Sequence, residues 1–208
     1  MLVSKTVTEF LNELASNSPA PGGGSVAALA GALGAALTAM VCRLTIGKKK
    51  YVEVQQEMEE VLSKAEELRG KLTILIDEDT QAFNTVMAAF GLPKETDQEK
   101  LARSVSIQEA TKVAALVPLK VMEHCEQAIG LALRVAEKGN VNSISDAGVS
   151  ALLLEAACQS AALNVRINIA TLQEEEFVTK TTEEVDSILL NVDRRAKQVL
   201  ARVHSALQ

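Results

Sequence analysis

Asp79 stands among Ile76, Phe83 and Val86 in a stretch of helical periodicity, so its carboxylate is expected to face apolar neighbours. Burial strips a carboxylate of hydration, and the group must then find a partner or take a raised pKa. A carboxyl group in either condition suits general acid or base chemistry. The same placement also suits an Asp–Arg or Asp–Lys pair that only sets helix register. Arg69 is roughly three helical turns away, too far to pair within the helix, so Lys48, Lys49 and Lys50 are the expected source of a cation. Further along, Asp146, Ser150, Leu153, Ala157, Asn164 and Asn168 fall on one helical strip and offer a carboxylate and two amides in one direction. Plainer roles exist for these as well. Asp146 is a favourable charge in a first helical turn, and buried asparagines can pin register.

The element that must position these groups is the stretch from Pro19 to Tyr51. Pro19, Pro21 and the run Gly22, Gly23, Gly24 form a turn with bare backbone N–H groups, and Ser25 is placed to cap the helix that follows. From Val26 to Cys42 there is no charge, and Ala27, Gly31, Ala35 and Ala39 recur every four residues, as do Ala28, Ala32 and Ala36. Two faces nearly without side chains let partner helices approach closely, which marks a buried central helix. Its composition is too weakly hydrophobic, and too poor in flanking aromatics, for a membrane span. At its far end Gly47 provides a C-cap, and Lys48 to Lys50 complement the helix dipole or hold an anionic ligand tail beside Tyr51, the only tyrosine.

The remaining chain reads as helices joined by short breaks. Thr6 and Glu9 have capping-box spacing before a short helix that should end near Asn17. A long helix from about Val52 to Phe90 carries an expected seam of Met58, Leu62, Ala65, Arg69, Leu72, Ile76, Asp79, Phe83, Val86 and Phe90. Thr96 and Glu99 start the next helix, which should kink or restart at Pro118 and stop at Gly139 and Asn140. Ser143 starts another, and Thr181 with Glu184 is expected to open the last. The expectation is an all-α fold: a single-domain antiparallel helical bundle over residues 1–208, built around the Ala/Gly-rich helix.

Composition narrows the function classes. The 48% hydrophobic content supports a sizeable core, while only 2% aromatic residues and few alternating β-branched stretches leave nothing for a sheet. A net charge of −6 disfavours a general nucleic-acid binder, because phosphate backbones reward a whole basic face. Cys42, Cys125 and Cys158 are odd in number and sit in apolar helical contexts, which with no amino-terminal signal pattern implies a reduced cytoplasm. His124 and His204 are the only histidines and no metal-ligand spacing occurs, so no metal is expected; His124 reads as a core or boundary residue.

PAPGGGSVAALAGALGAAL, TIGKKKY, DTQAF, GNVNSISD and NVRIN, in that order, resemble the cyclodeaminase/cyclohydrolase family of folate enzymes, which also forms one half of the bifunctional formiminotransferase–cyclodeaminase. The resemblance runs from about Thr6 to the end of the chain. It implies a helical protein that assembles at least as a homodimer, takes no cofactor beyond its tetrahydrofolate substrate, and draws on a separate formiminotransferase. The implied reaction is conversion of 5-formimino-tetrahydrofolate to the 5,10-methenyl compound with loss of ammonia, or alternatively hydrolysis of the methenyl compound to 10-formyl-tetrahydrofolate. A non-catalytic folate-binding or assembly subunit is the remaining alternative. Residue by residue, the resemblance implies Asp79, Asp146 and Lys49 for catalysis, with anchoring of the pterin's amino group and adjacent ring nitrogen as the other role open to Asp146. Gly22, Gly23, Gly24 and Ser25 would let the folate approach the backbone, while Asn140, Ser145, Asn164 and Asn168 would contact the pterin. Lys48 and Tyr51 complete the implied binding set, with the lysines suited to a polyglutamate tail.

Overall fold

The computed structural model describes Met1–Gln208, and every regular element in it is helical. The helices are α1 (Val7–Leu14), α2 (Gly23–Thr45), α3 (Gln55–Phe90), α4 (Asp97–Lys138), α5 (Ile144–Ile169) and α6 (Glu175–Leu207). Short 3-10 turns cover Leu2–Ser4, Lys49–Val54 and Val141–Ser143. The capping boxes of Thr6 with Glu9 and of Thr96 with Glu99 both form, each pairing the cap side chain with an N–H that would otherwise lack a partner.

α2 is the centre of the bundle, packed on α3, α4 and α5. Ala27, Ala28, Ala35 and Ala39 are buried along it. Its glycines mark where neighbours come closest. A Cβ on Gly31 would stand 3.0 Å from Cys125 Sγ of α4, and one on Gly34 would stand 2.6 Å from Leu154 of α5. Across the same seam the Ser150 hydroxyl donates to the Gly34 carbonyl at 2.7 Å and lies 2.9 Å from Thr38 Oγ1. Gly23 meets Asn164 while Gly34 meets Ser150, so α5 runs antiparallel to α2. α3 is also antiparallel to it, with Asp79 at Gly24 and Leu72 at Gly31. Both α2 and the stretch 141–169 are long and apolar enough to cross a membrane, and both are core elements of the bundle.

Three expectations need correcting. On α3 the seam at Met58, Ala65, Leu72 and Ile76 is buried, but the rest of the second row lies one residue earlier than the spacing suggested, at Val61, Leu68, Leu75, Ala82 and Ala89. Steps of three-then-four and four-then-three residues both fit one helical face, and apolar Leu62 and Phe83 made them hard to separate. The shift puts Arg69 on the surface, paired with Glu66, and leaves Phe90 49% exposed. α6 starts at Glu175 rather than near Thr181, whose side chain is buried on the inner face. A Thr-x-x-Glu spacing recurs by chance in a Glu-rich helix. α4 passes through Pro118 without restarting.

All three cysteines are free and buried. Burial pushes the Cys42 and Cys158 thiols up to about 12, so they pack as apolar groups and supply little thiolate. His124 is half-buried, and burial together with Lys71 and Lys120 holds its pKa below the usual histidine value.

Candidate functional site

The residues implied by sequence collect at the two ends of α2. At its start, Gly22 is the N-cap and contributes no side-chain cap. Ser25 does not cap the helix as expected: it lies in the first turn with its side chain turned towards α3. Its hydroxyl is 2.8 Å from Asp79 Oδ2, 3.0 Å from the Ile76 carbonyl and 3.3 Å from Thr80 Oγ1. Asp79 in turn fills the space left by a missing side chain, since a Cβ on Gly24 would fall 1.9 Å from Asp79 Oδ1. Glycine at 24 is therefore what lets the carboxylate reach the start of α2.

Burial raises the Asp79 pKa above the ordinary carboxylate value, while hydrogen bonds from the Ser25 hydroxyl and N–H pull it back down. Burial wins. The result is a half-buried carboxyl group, held in one orientation and poised to exchange a proton. The lysines play no part in this within the chain. Lys48 to Lys50 follow the other end of α2, about 35 Å away by the rise of a 23-residue helix. The cation partner expected for Asp79 is thus a hydroxyl instead.

Asn164 belongs to the Asp79 end. Its amide would lie 3.3 Å from a Cβ on Gly23, and its Nδ2 donates to the Ser160 carbonyl at 2.9 Å. Asn168, one turn on, donates from Nδ2 to the carbonyls of Ala114 at 3.0 Å and Asn164 at 2.9 Å. Thr80 is the neighbour that sequence reasoning left out, although it follows Asp79 directly in the Asp-Thr-Gln-Ala-Phe motif.

At the far end of α2, Asn140 is 5% exposed and acts as a clasp. Its N–H donates to Thr45 Oγ1 at 2.8 Å and its Nδ2 to the Leu44 carbonyl at 2.9 Å, one of the acceptors a helix end leaves open. Tyr51 Oη accepts the Val141 N–H at 3.0 Å and donates to Asn140 Oδ1 at 3.4 Å. This clasp fixes the exposed Lys48 and Lys49 beside the first turn of α5, which carries exposed Ser145 and half-buried Asp146. Asp146 precedes Asn164 by eighteen residues along α5, so it lies roughly 25 Å from the Asp79 end. One chain therefore holds two separate groups, Gly22–Ser25 with Asp79, Asn164 and Asn168, and Lys48–Tyr51 with Asn140, Ser145 and Asp146.

Comparison with known proteins places this arrangement. Residues 6–187 match the family model described as formiminotransferase-cyclodeaminase. The methenyltetrahydrofolate cyclohydrolase of Methylorubrum extorquens is 49% identical over 99% of both chains. The formimidoyltransferase-cyclodeaminase of Rattus norvegicus is 34% identical over 98% of this chain, which spans 38% of the rat protein's length. The crystal structure of formiminotetrahydrofolate cyclodeaminase from Thermotoga maritima superposes with a TM-score of 0.90, at 31% identity and covering 100% of both chains. With its helical architecture and nearly its whole length matched, the chain belongs to the formiminotransferase-cyclodeaminase family.

Proposed function

We propose that the protein is a folate enzyme acting on the one-carbon unit held between N5 and N10 of tetrahydrofolate, with hydrolysis of 5,10-methenyl-tetrahydrofolate to the 10-formyl compound as its main reaction. The carrying observation is the half-buried Asp79 carboxyl group, oriented by Ser25 in the space beside Gly24 at the start of α2. The sequence motifs put ring closure with loss of ammonia first. Similarity of 49% over the full length to a cyclohydrolase, against 31% and 34% to the cyclodeaminases, supports putting hydrolysis first.

The chemistry follows from a single proton-exchanging group. Water attacks the electrophilic methenyl carbon, and ionised Asp79 takes one of its protons. The tetrahedral adduct then collapses: the carbon–N5 bond breaks, Asp79 returns its proton to N5, and the hydroxyl loses its proton to solvent as the formyl carbonyl forms. One proton is released overall. The ionised carboxylate also stabilises the methenyl cation before attack. The second reading, ring closure of protonated 5-formimino-tetrahydrofolate supplied by a separate formiminotransferase, uses the same group to accept the N10 proton and deliver it to the amine nitrogen of the adduct, which leaves as ammonia. The full-length likeness to the Thermotoga maritima cyclodeaminase favours keeping it.

The active unit is a homodimer. Each chain carries Asp79 and the lysine cluster at opposite ends of α2, too far apart to reach one reacting carbon. α2 also leaves apolar side chains uncovered, with Leu33 and Leu44 exposed and Leu37 half-buried between them, and Val149 and Leu152 of α5 are exposed as well. A two-fold contact between these surfaces with the α2 helices antiparallel brings the Asp79 end of one protomer to the Lys48 end of its partner. Two equivalent sites result. Asp146 and Lys49 then face the same reacting carbon as the partner's Asp79, and Lys48 receives the glutamate tail. The buried free thiols suit a reducing cytoplasm.

The test is the ultraviolet absorbance of the methenyl chromophore, followed after adding purified protein to each substrate in parallel. Accelerated loss from methenyl-tetrahydrofolate establishes the cyclohydrolase. Appearance from 5-formimino-tetrahydrofolate with ammonia release establishes the cyclodeaminase, and no change in either overturns the enzyme reading.

A further inference from the structure

Pro118 lies inside α4, where it has no N–H to offer the carbonyl four residues earlier, that of Ala114. That acceptor is taken by a different helix. Asn168 of α5 donates to it from Nδ2 at 3.0 Å, and the same amide nitrogen donates to the Asn164 carbonyl at 2.9 Å. A carboxamide has two N–H donors, so both are committed inside the protein and only Oδ1 remains. One turn earlier, Asn164 is pressed on Gly23, the residue before the glycine that accommodates Asp79.

We propose that Pro118 and Asn168 are a positioning pair for the folate site: proline vacates the Ala114 carbonyl, Asn168 takes it, and the bond seats the end of α5 so that Asn164 rests on Gly23 beside Asp79. Asn168 then acts through Asn164 and not by donating to the substrate. The assay for this role rests on the folate reading, but the link between the two residues is measurable without turnover.

The experiment is a double-mutant cycle on the full chain with Pro118→Ala, Asn168→Ala and the two combined, measuring urea unfolding and kcat/KM on methenyl-tetrahydrofolate below the onset of unfolding. In the Pro118 protein, Asn168→Ala leaves the Ala114 carbonyl unpaired and lowers kcat/KM by about tenfold. In the Pro118→Ala background the restored N–H takes that acceptor, and the further loss falls below about threefold. A merely structural bond would couple in unfolding and leave kcat/KM of the folded variants close to wild type. Equal losses in both backgrounds would overturn the proposal, because they assign Asn168 to the ligand directly. Asn168→Asp provides a check independent of residue 118: it keeps the shape but faces two carbonyl oxygens with an acceptor, and should lose more than Asn168→Ala. Wild-type rates for Asn168→Asp would sink the idea. Should the wild-type protein show no turnover, the folate reading fails alone, and the unfolding cycle still decides whether the pair is coupled.

Discussion

The Asp79 carboxylate occupies the space that a side chain on Gly24 would need, with only 1.9 Å between Oδ1 and the position of a Cβ. Gly24→Ala must therefore displace the carboxylate. We expect kcat to fall by about 100-fold and stability by about 1–3 kcal/mol. Gly70→Ala is the control, because nothing lies within 4 Å of its Cβ position in α3. It should leave turnover unchanged and raise stability by about 0.5–1 kcal/mol. Chromophore loss and urea melts on the two variants check both signs.

Asp79→Asn should lower turnover by about 100-fold or more while the helical circular dichroism stays unchanged. Its stability profile carries a second signature. Burial raises the Asp79 pKa in the folded state, so the favourable contribution of the protonated group is complete below the unfolded value and is lost as pH rises through the folded one. The asparagine variant lacks that loss and should gain on wild type between acid and neutral pH. Melts at both pH values that show no such gain would contradict the burial of Asp79.

Ser25→Ala removes a hydrogen bond that holds the Asp79 pKa down. The acid limb of kcat/KM against pH should move to higher pH. Turnover at neutral pH should drop about tenfold through the lost orientation. An unmoved limb would mean that Asp79 is not the group that titrates in the reaction.

Asp79→Asn and Lys49→Ala damage opposite ends of α2, and in the proposed antiparallel dimer these ends belong to different sites. Each variant alone should be nearly inactive. Unfolded together and refolded, half of the dimers are mixed and hold one intact site in two, so activity should return to about a quarter of wild type. Recovery no greater than the sum of the separate variants would place the complete site within one chain.

Lys48→Ala should raise KM for polyglutamylated substrate more than for the monoglutamate, and more at low than at high salt. Equal loss with both substrates would assign Lys48 to the reacting carbon instead of the tail.

The amino-acid sequence by itself determined which segments are helical and, apart from one row of the α3 seam, which face of each turns inward. Thr6 with Glu9 and Thr96 with Glu99 marked true helix starts, small residues marked α2 as the close-packed centre, and spacing alone put Asp79 on an inward seam. Caps and periodicity are local, so they are legible one helix at a time. What only the tertiary structure decided is where along each axis those faces meet. The contacts at Gly31 and Gly34 set the sliding register of α3 and α5 on α2. That register gives Asp79 the hydroxyl of Ser25, 54 residues earlier, in place of a lysine. It also sends Asp146 and Lys49 to the opposite end of the bundle from Asp79. Side-chain pattern specifies rotation about a helix axis but not translation along it, and the composition of this site depends on the translation.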